Sequence, residues 1–248
     1  MSFFDDELTR DGFLGGRLQL WQPKAGYRAA TDPVFLAAFV SAKPGERVLD
    51  LGCGAGAAIL CLMRRVEIRG YGIEIQGDYA ELARRNATEN ALKLTVFDGD
   101  VRTMSAQLRA MTFDHVICNP PFYAAATHSG ARDSGRDLAH RGDDLSEWIE
   151  AGLKRLGTGG CFSIIHRAER LGEILAAFAG RAGDIRILPI APREGRAAGR
   201  VLASARKGSK ADLTLLAPLV AHEGAVHAAD GDDYTARARG ILREMHAI

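Results

Sequence analysis

The chain has 248 residues, of which 47% are hydrophobic and 7% aromatic, and its 32 lysines and arginines nearly balance 31 aspartates and glutamates. This length suits one large domain, and the composition excludes an intrinsically disordered chain. A formal net charge of +1 argues against a protein that coats nucleic acid through bulk charge, although it permits a local basic patch. The longest apolar stretches, such as Pro33–Val40, are far shorter than the ~20 residues of a membrane-spanning helix.

The N-terminal residues and the cysteines indicate a cytoplasmic protein. Asp5–Glu7 makes the N-terminus acidic, whereas a secretory signal peptide begins with basic residues. Cys53, Cys61, Cys118 and Cys161 form no C-x-x-C pair, and most of them lie in apolar or glycine-rich stretches, which is typical of reduced, buried thiols. The histidines have no ligand-like spacing either, so we expect no disulfide framework and no metal site. Because the apolar stretches are short, we also expect no membrane contact.

The first 46 residues have a pattern of their own. We expect residues 1–46 to form an extension that packs on the cofactor side of a main domain at residues 47–248, the whole being a single structural domain. Thr31-Asp32-Pro33 predicts the start of a helix, because Thr31 or Asp32 can cap it and proline suits the first helical turn.

From residue 47 onward, short apolar runs alternate with helical stretches, beginning with a strand at Arg47–Leu51 and a helix at Ala57–Arg65. This alternation predicts an α/β fold, with a mostly parallel sheet and helices on both faces. Two β-like runs after Pro192 predict antiparallel strands at the edge of the sheet. The further predicted strands are Gly70–Ile75, Leu94–Phe97, Asp114–Cys118, Gly160–His166, Ile185–Ile190, Arg200–Ala205 and Asp212–Leu216, and the further helices are Asp78–Leu92, Leu145–Leu156 and Ala168–Ala179.

A glycine-rich loop joins the first strand of the main domain to its first helix. Gly52, Gly54 and Gly56 let backbone N–H groups approach a ligand closely and admit conformations that a Cβ would forbid. Glu74 ends the next strand, where a carboxylate can accept hydrogen bonds from both hydroxyls of a ribose. The loop alone would also suit a nicotinamide dinucleotide, but its G-x-G-x-G spacing differs from the G-x-G-x-x-G of that class.

Asp100, which follows the third strand of the main domain, can accept a hydrogen bond from an adenine amino group. Together with the glycine loop and Glu74, it resembles the class I S-adenosylmethionine-dependent methyltransferases. The resemblance implies a Rossmann-like α/β fold with a mostly parallel, seven-stranded sheet and S-adenosylmethionine lying over the strand ends. The cofactor-binding residues that it implies are Thr31, Asp50, Leu51, Gly52, Cys53, Gly54, Gly56, Glu74, Ile75, Asp100, Val101 and Asn119.

Asn119-Pro120-Pro121-Phe122 follows the fourth of these strands and predicts catalysis on an amino or amide nitrogen. The lone pair of such a nitrogen is delocalised, and the Asn119 side-chain oxygen and the Pro120 carbonyl can each accept one of its N–H groups. Neither proline has an N–H group to compete, and Phe122 can stack on a planar substrate. The motif resembles methyltransferases that alkylate adenine N6, guanine N2 in ribosomal RNA or glutamine N5 in proteins, and it does not separate these acceptors.

Further motifs flank these segments: Leu14-Gly-Gly-Arg-Leu-x-Leu-x-Gln-Pro23, Gly26-Tyr-Arg-x-x-x-Asp32, Trp148-Ile149, His166-Arg-x-Glu-Arg-Leu171, Lys207-Gly-x-Lys210 and Leu215–Pro218. They resemble the valine-tRNA adenine-N6 methyltransferase family over nearly the whole chain. The resemblance implies an S-adenosylmethionine-dependent N-methyltransferase acting on an adenine of structured RNA, in the first place the anticodon loop of a tRNA. Methylation of a protein glutamine or of a ribosomal guanine is the alternative enzyme activity, and a cofactor- or RNA-binding module without transfer activity is the non-enzyme alternative.

A local excess of basic residues lies between positions 186 and 210, where seven lysines and arginines accompany one acidic residue, Glu194. This stretch predicts a surface for RNA phosphates, although a solvated hairpin without a partner would have the same composition. The loop 123–144 fits a substrate lid and a plain surface loop equally well. The residues that we expect to contact RNA are Arg132, Arg136, Arg193, Arg196, Arg200, Lys207 and Lys210.

Overall fold

The computed structural model describes residues 3–121, 145–224 and 233–248. The strands are β1 (Leu8–Phe13), β2 (Leu18–Pro23), β3 (Arg47–Leu51), β4 (Arg69–Glu74), β5 (Leu94–Asp98), β6 (Phe113–Cys118), β7 (Leu156–Arg167), β8 (Ala182–Ala191), β9 (Arg200–Lys207), β10 (Thr214–Leu215) and β11 (Leu219–Val220). The α-helices are α1 (Asp32–Phe39), α2 (Ala57–Arg65), α3 (Gly77–Glu89), α4 (Ala106–Arg109), α5 (Leu145–Arg155), α6 (Leu171–Phe178) and α7 (Ala236–Glu244), and short 3₁₀ turns cover Asp5–Glu7 and Ala168–Arg170.

The main sheet has the strand order β10-β8-β9-β7-β6-β3-β4-β5, and β11 also pairs with β8. Its strands are parallel except for β9, which runs antiparallel to both β7 and β8. Seven strands, from β5 across to β8, form the sheet expected of the class I fold, and the predicted α/β class is confirmed. The carboxyl ends of β3, β4, β5 and β6 therefore meet on one side of the sheet, called the carboxyl edge below, where parallel α/β sheets bind their ligands.

The C-terminal strands differ from the prediction in their placement. The antiparallel strand β9 lies inside the sheet, whereas the edge is formed by β10 and β11, both parallel to β8. The reason is the direction of β9, which runs from Arg200 at the carboxyl edge back to Lys207, opposite Ala182 at the start of β8. The chain turns there and continues along the open side of β8 in the same direction as that strand.

The first part of the chain forms a two-stranded antiparallel sheet, β1–β2, that the sequence analysis did not predict. The open edge of β2 is covered by asparagine side chains of α3 and its C-terminus rather than by another strand. Asn86 accepts a hydrogen bond from the Trp21 N–H (2.7 Å) and donates to the carbonyls of Trp21 (3.0 Å) and Ala55 (2.9 Å). Asn90 pairs in the same way with the backbone of Gln19. These contacts hold the hairpin against the glycine loop.

Two apolar clusters cover the two faces of the main sheet. Helices α1, α2 and α7 pack on one face, and α5 and α6 pack on the other. On that second face, Phe162 and Phe178 meet edge to face with ring centroids 5.9 Å apart, a favourable aromatic geometry. Burying a large apolar side chain contributes about 1.5–3 kcal/mol, so this double cover holds the strand ends in place. Among the described residues, no helix is long and apolar enough to cross a membrane.

Candidate active site

The glycine loop adopts a conformation that few other residues tolerate. Gly52, Gly54 and Gly56 have φ angles of 63°, 53° and 87°, in the left-handed region. A Cβ on Gly52 would lie 2.7 Å from the Cη2 atom of Trp148 on α5, so an alanine there would also clash. The loop is thus a cradle with its backbone exposed to the cleft between β3 and α2.

Asp50, at the end of β3, is buried beside this loop with only 2% of its surface exposed. It accepts a hydrogen bond from the backbone N–H of Ile59, but its Oδ2 atom has no partner among the described residues. Burial raises the pKa of the Asp50 carboxyl well above its usual value. A buried acceptor without a partner is costly, and a ligand with N–H donors would remove that cost.

Glu74, at the end of β4, is 5% exposed and touches the same loop. Its Oε2 accepts a hydrogen bond from the Gly54 N–H (2.9 Å), and its Oε1 accepts one from the Gln76 N–H (2.9 Å). Burial raises the pKa of the Glu74 carboxyl, and these hydrogen bonds partly oppose that rise. The backbone N–H of Ile75 also donates to this carboxylate, and the acceptor capacity that remains is open to a ligand hydroxyl. Ile75, the next residue, exposes an apolar surface beside it.

Asp100 follows β5, the neighbour of β4, and is paired with Arg102. The Arg102 Nε donates to Asp100 Oδ1 (2.9 Å), as does the Arg102 backbone N–H (2.8 Å). The guanidinium lowers the pKa of the Asp100 carboxyl, which therefore stays ionised and can accept further hydrogen bonds. Val101, which lies between them in sequence, is buried and lines a second, open cavity together with Met104 and Glu147.

Asn119 lies directly after β6. The last residue of β6, Cys118, pairs with Leu51 at the end of β3, so Asn119 lies next to the end of β3. Its Nδ2 donates a hydrogen bond to the Tyr27 hydroxyl (3.1 Å). Its Oδ1 is buried and has no partner among the described residues. Pro120 is buried and Pro121 is exposed, whereas Phe122 lies outside the described residues.

One cleft, partly open to solvent, joins the glycine loop, Asp50 and Asn119. The sequence analysis identified these residues but missed Gln22 and Tyr27, which reach the cleft from the segment before α1. The available signals were the flanking motifs, since Gln22 lies in Leu14–Pro23 and Tyr27 lies in Gly26–Asp32. The residues lining the cleft are Gln22, Tyr27, Ala29, Pro33, Asp50, Gly52, Cys53, Ala55, Ala57, Ala58 and Asn119.

Of the remaining residues predicted to bind the cofactor, Thr31 precedes α1 and its side chain makes no capping hydrogen bond. Its neighbours Ala29 and Pro33 line the cleft. Leu51 is fully buried at the end of β3 and supports the loop from below. All four cysteines are free thiols, and burial raises the pKa of Cys61 to about 12.

The predicted basic patch is divided between two edges of the sheet. Arg193, Arg196 and Arg200 lie at the carboxyl ends of the strands, the same side as the cleft, although β6, β7 and β9 separate β8 from β3, whereas Lys207 and Lys210 lie at the opposite ends. The eight residues of β9 separate the two groups by about 23 Å. Arg132 and Arg136 lie outside the described residues.

Several of these side chains also have structural partners. Arg200 pairs with Asp32 at the start of α1 (2.9 Å), Arg193 pairs with Asp233 (2.5 Å), and the Lys207 ammonium donates to the Leu156 carbonyl (2.7 Å). Arg196 is exposed in the turn after β8. Within the described parts of the chain, no group of three or more metal-ligating side chains is placed to hold an ion.

Comparison with known proteins places the chain among methyltransferases. The family model described as the methyltransferase small domain matches residues 30–170. Two relatives, from Bacteroides fragilis and Yersinia enterocolitica, are each named tRNA1(Val) (adenine(37)-N6)-methyltransferase and are 28% identical to the chain. The first match covers 59% of this chain and 62% of the relative, and the second covers 69% of each. The chain thus matches less than two thirds of the length of the Bacteroides relative.

Two solved structures have the same fold. A predicted O-methyltransferase from Agrobacterium tumefaciens is 30% identical, with a TM-score of 0.71 over 88% of this chain and 98% of its own. A 16S rRNA N2 methyltransferase from Thermus thermophilus, determined with AdoMet and guanosine, is 19% identical, with a TM-score of 0.57 over 81% of this chain and 50% of its own. The second likeness concerns the fold alone.

Proposed function

The chain belongs to the methyltransferase small domain family, and on that basis we propose that it methylates N6 of an adenine in the anticodon loop of a tRNA. The observation that carries this proposal is the Asn119 Oδ1 atom, a buried acceptor on the cleft with no partner among the described residues. An acceptor of this kind fits an amino group, which has N–H donors to offer. The names of the Bacteroides and Yersinia relatives support RNA adenine as the substrate.

The family membership confirms the predicted class of enzyme, and its cofactor is S-adenosylmethionine. When bound, the cofactor supplies an electrophilic methyl group on a sulfonium sulfur. The residues present fit it: Asp50 Oδ2 would accept a hydrogen bond from the ammonium of its methionine part, and Glu74 would accept the ribose hydroxyls. Asp100 would accept the adenine amino group, with Ile75 and Val101 as apolar neighbours of the base.

In the proposed reaction, Asn119 and Pro120 activate the acceptor nitrogen by orientation. The Asn119 Oδ1 and the Pro120 carbonyl each accept one N–H, so the lone pair of the nitrogen turns out of conjugation with the ring and toward the methyl group. The nitrogen gains a bond to the methyl carbon as the bond between that carbon and the sulfonium sulfur breaks, and the bonding pair stays on the sulfur, which leaves as a neutral thioether. The nitrogen then loses its extra proton to water, so no strong base is needed before the attack. Pro121 brings no competing donor, and Phe122 remains part of this proposal on sequence grounds, as the residue expected to stack on the base.

An anticodon-loop adenine is already single-stranded, so turning it into a pocket costs less than extruding a base from a duplex. We infer that Arg193, Arg196 and Arg200 guide the phosphates to the cleft, because they lie at its edge of the sheet. Arg132 and Arg136 remain part of this proposal on sequence grounds. A tRNA substrate implies that the protein acts in the cytoplasm.

The proposal is tested by incubating the purified protein with methyl-labelled S-adenosylmethionine and unmodified total tRNA, followed by nucleoside analysis. We expect label in N6-methyladenosine. Label in N2-methylguanosine from ribosomal RNA, in a ribose 2′-O-methyl group, or in protein glutamine alone would replace the proposed acceptor with another. The absence of transfer to any of these would contradict the enzyme activity itself.

A further inference from the structure

Tyr27 is held rigidly between β2 and α1, at the centre of the cleft. Its backbone N–H donates a hydrogen bond to the Tyr79 hydroxyl (2.9 Å), and that hydroxyl donates to the Tyr27 carbonyl (3.1 Å). Tyr79 itself is buried on α3. A residue tied at both backbone groups has little freedom, so its side chain is aimed by the fold.

The ring and the hydroxyl of Tyr27 face two different parts of the site. The ring lies over the glycine loop, where its Cε1 would be 3.8 Å from a Cβ on Gly54, and half of its surface is exposed. The hydroxyl end is enclosed, and burial together with the nearby Asp32 and Asp50 carboxylates raises the pKa of Tyr27 to about 12. The hydroxyl therefore keeps its proton over the physiological pH range.

The hydroxyl accepts its hydrogen bond from Asn119 Nδ2, the amide end that the reaction does not use. A primary amide has donors at one end and an acceptor at the other, and rotation by 180° exchanges them. In the rotated state, Asn119 would present N–H groups to an acceptor nitrogen that also carries N–H groups, so that state is unproductive. In the observed contact the Tyr27 hydroxyl accepts from Nδ2, which leaves Oδ1 available to the acceptor nitrogen.

We propose that Tyr27 is a positioning residue that couples the two halves of the site: its hydroxyl fixes the Asn119 amide with Oδ1 toward the acceptor, while its ring covers the cofactor loop at Gly54. This inference rests on the proposed function, since it assigns Asn119 the task of accepting an N–H from the substrate. Tyr27 takes no proton and forms no bond in the reaction.

Tyr27→Phe separates the two roles, because it removes the hydroxyl and keeps the ring. We expect kcat to fall on the order of 10- to 100-fold, because the Asn119 amide would no longer be held in the reactive orientation. The cofactor Kd and the KM for tRNA should change less than about threefold. Tyr27→Ala also removes the ring and should weaken cofactor binding measurably. Tyr71→Phe is the matched control: Tyr71 packs edge to face on Phe113 away from the cleft, and its loss of a hydroxyl should leave kcat unchanged.

A double-mutant cycle with Asn119→Ser tests the coupling itself, because serine has no amide to orient. The effect of Tyr27→Phe on kcat should disappear in that background. Equal effects in both backgrounds, or a wild-type kcat for Tyr27→Phe, would overturn the inference.

A side-chain NMR measurement gives a readout that needs no acceptor. The Asn119 δ-amide signal, assigned with Asn119→Ser, should show protons that exchange slowly in the wild type and rapidly in Tyr27→Phe, and equal exchange would overturn the inference. The proposed function and the proposed role of Tyr27 can fail separately. The labelled nucleoside identifies the acceptor, whereas the ratio of the wild-type kcat to the Tyr27→Phe kcat tests Tyr27 on whichever nitrogen is methylated.

Discussion

Asn119 and Asn86 both have buried side-chain polar atoms, yet their hydrogen bonding differs. Asn86 is completely buried, and its oxygen and nitrogen are satisfied by the backbone of Trp21 and Ala55. Asn119 satisfies only its nitrogen, and its oxygen has no partner in the described part of the chain. An unsatisfied buried group costs about 1–3 kcal/mol, so the cost at Asn119 is consistent with a site kept ready for a ligand.

Glu74 provides a prediction at the same scale. Glu74→Ala removes the carboxylate that we assign to the ribose and that also holds the Gly54 N–H, so cofactor affinity should fall about 10- to 100-fold, the range for hydrogen bonds to a charged group. Isothermal titration calorimetry with S-adenosylmethionine measures it. Asn119→Ala is the opposite control, because it should nearly abolish transfer while leaving the affinity within a few fold. An unchanged affinity in Glu74→Ala would remove the ribose assignment.

The sequence indicated the residues that follow strands and did not indicate those that arrive by packing. Asp50 and Glu74 lie at the ends of β3 and β4, and Asn119 directly follows β6. Their meeting at the carboxyl edge therefore follows from the parallel sheet alone. Tyr27 follows no strand of this sheet and reaches the cleft because Tyr79 anchors its backbone. Such a contact depends on the packing of α3 and leaves no periodic pattern in the sequence.

Among the helices and strands, those with a clear apolar pattern were predicted, whereas those held by contacts distant in sequence were missed. The bounds of β3 and α2 agree with the prediction, because a buried apolar run and an apolar helix flank an obligatory glycine turn. The strand β1 was missed because its sequence, LTRDGF, is polar and contains glycine. Its partner β2 is stabilised from outside by Asn86 and Asn90, which are distant in sequence.

Asn86 tests how much the β1–β2 hairpin depends on α3. Asn86→Ala leaves the backbone groups of Trp21 and Ala55 without their partner, and we expect the free energy of unfolding to fall by about 3 kcal/mol. Denaturant titration followed by circular dichroism measures this change. Asn90→Ala, which loses the equivalent pairs with Gln19 at a partly exposed position, should cost less. Equal, small losses in both variants would show that the hairpin is held by its apolar contacts instead.

For the whole molecule, the fold changes the meaning of the charge pattern. A net charge of +1 and a basic stretch at 186–210 suggested one RNA-binding patch, but β9 carries the chain from one edge of the sheet to the other within that stretch. Arg193 and Arg200 are paired with Asp233 and Asp32, so part of their charge is already balanced. Arg196 is the exposed member of the group at the carboxyl ends of the strands.

Arg196→Ala and Lys210→Ala therefore form a matched pair, each removing one exposed positive charge, at opposite edges of the sheet. If tRNA approaches the carboxyl edge, Arg196→Ala should weaken tRNA binding several-fold at low salt. It should also reduce the slope of log affinity against log salt by about 0.7–0.9, the contribution of one phosphate contact. Lys210→Ala should change neither quantity. Filter binding of tRNA at a series of salt concentrations measures both, and equal effects of the two substitutions would mean that RNA spans both edges or is attracted without orientation.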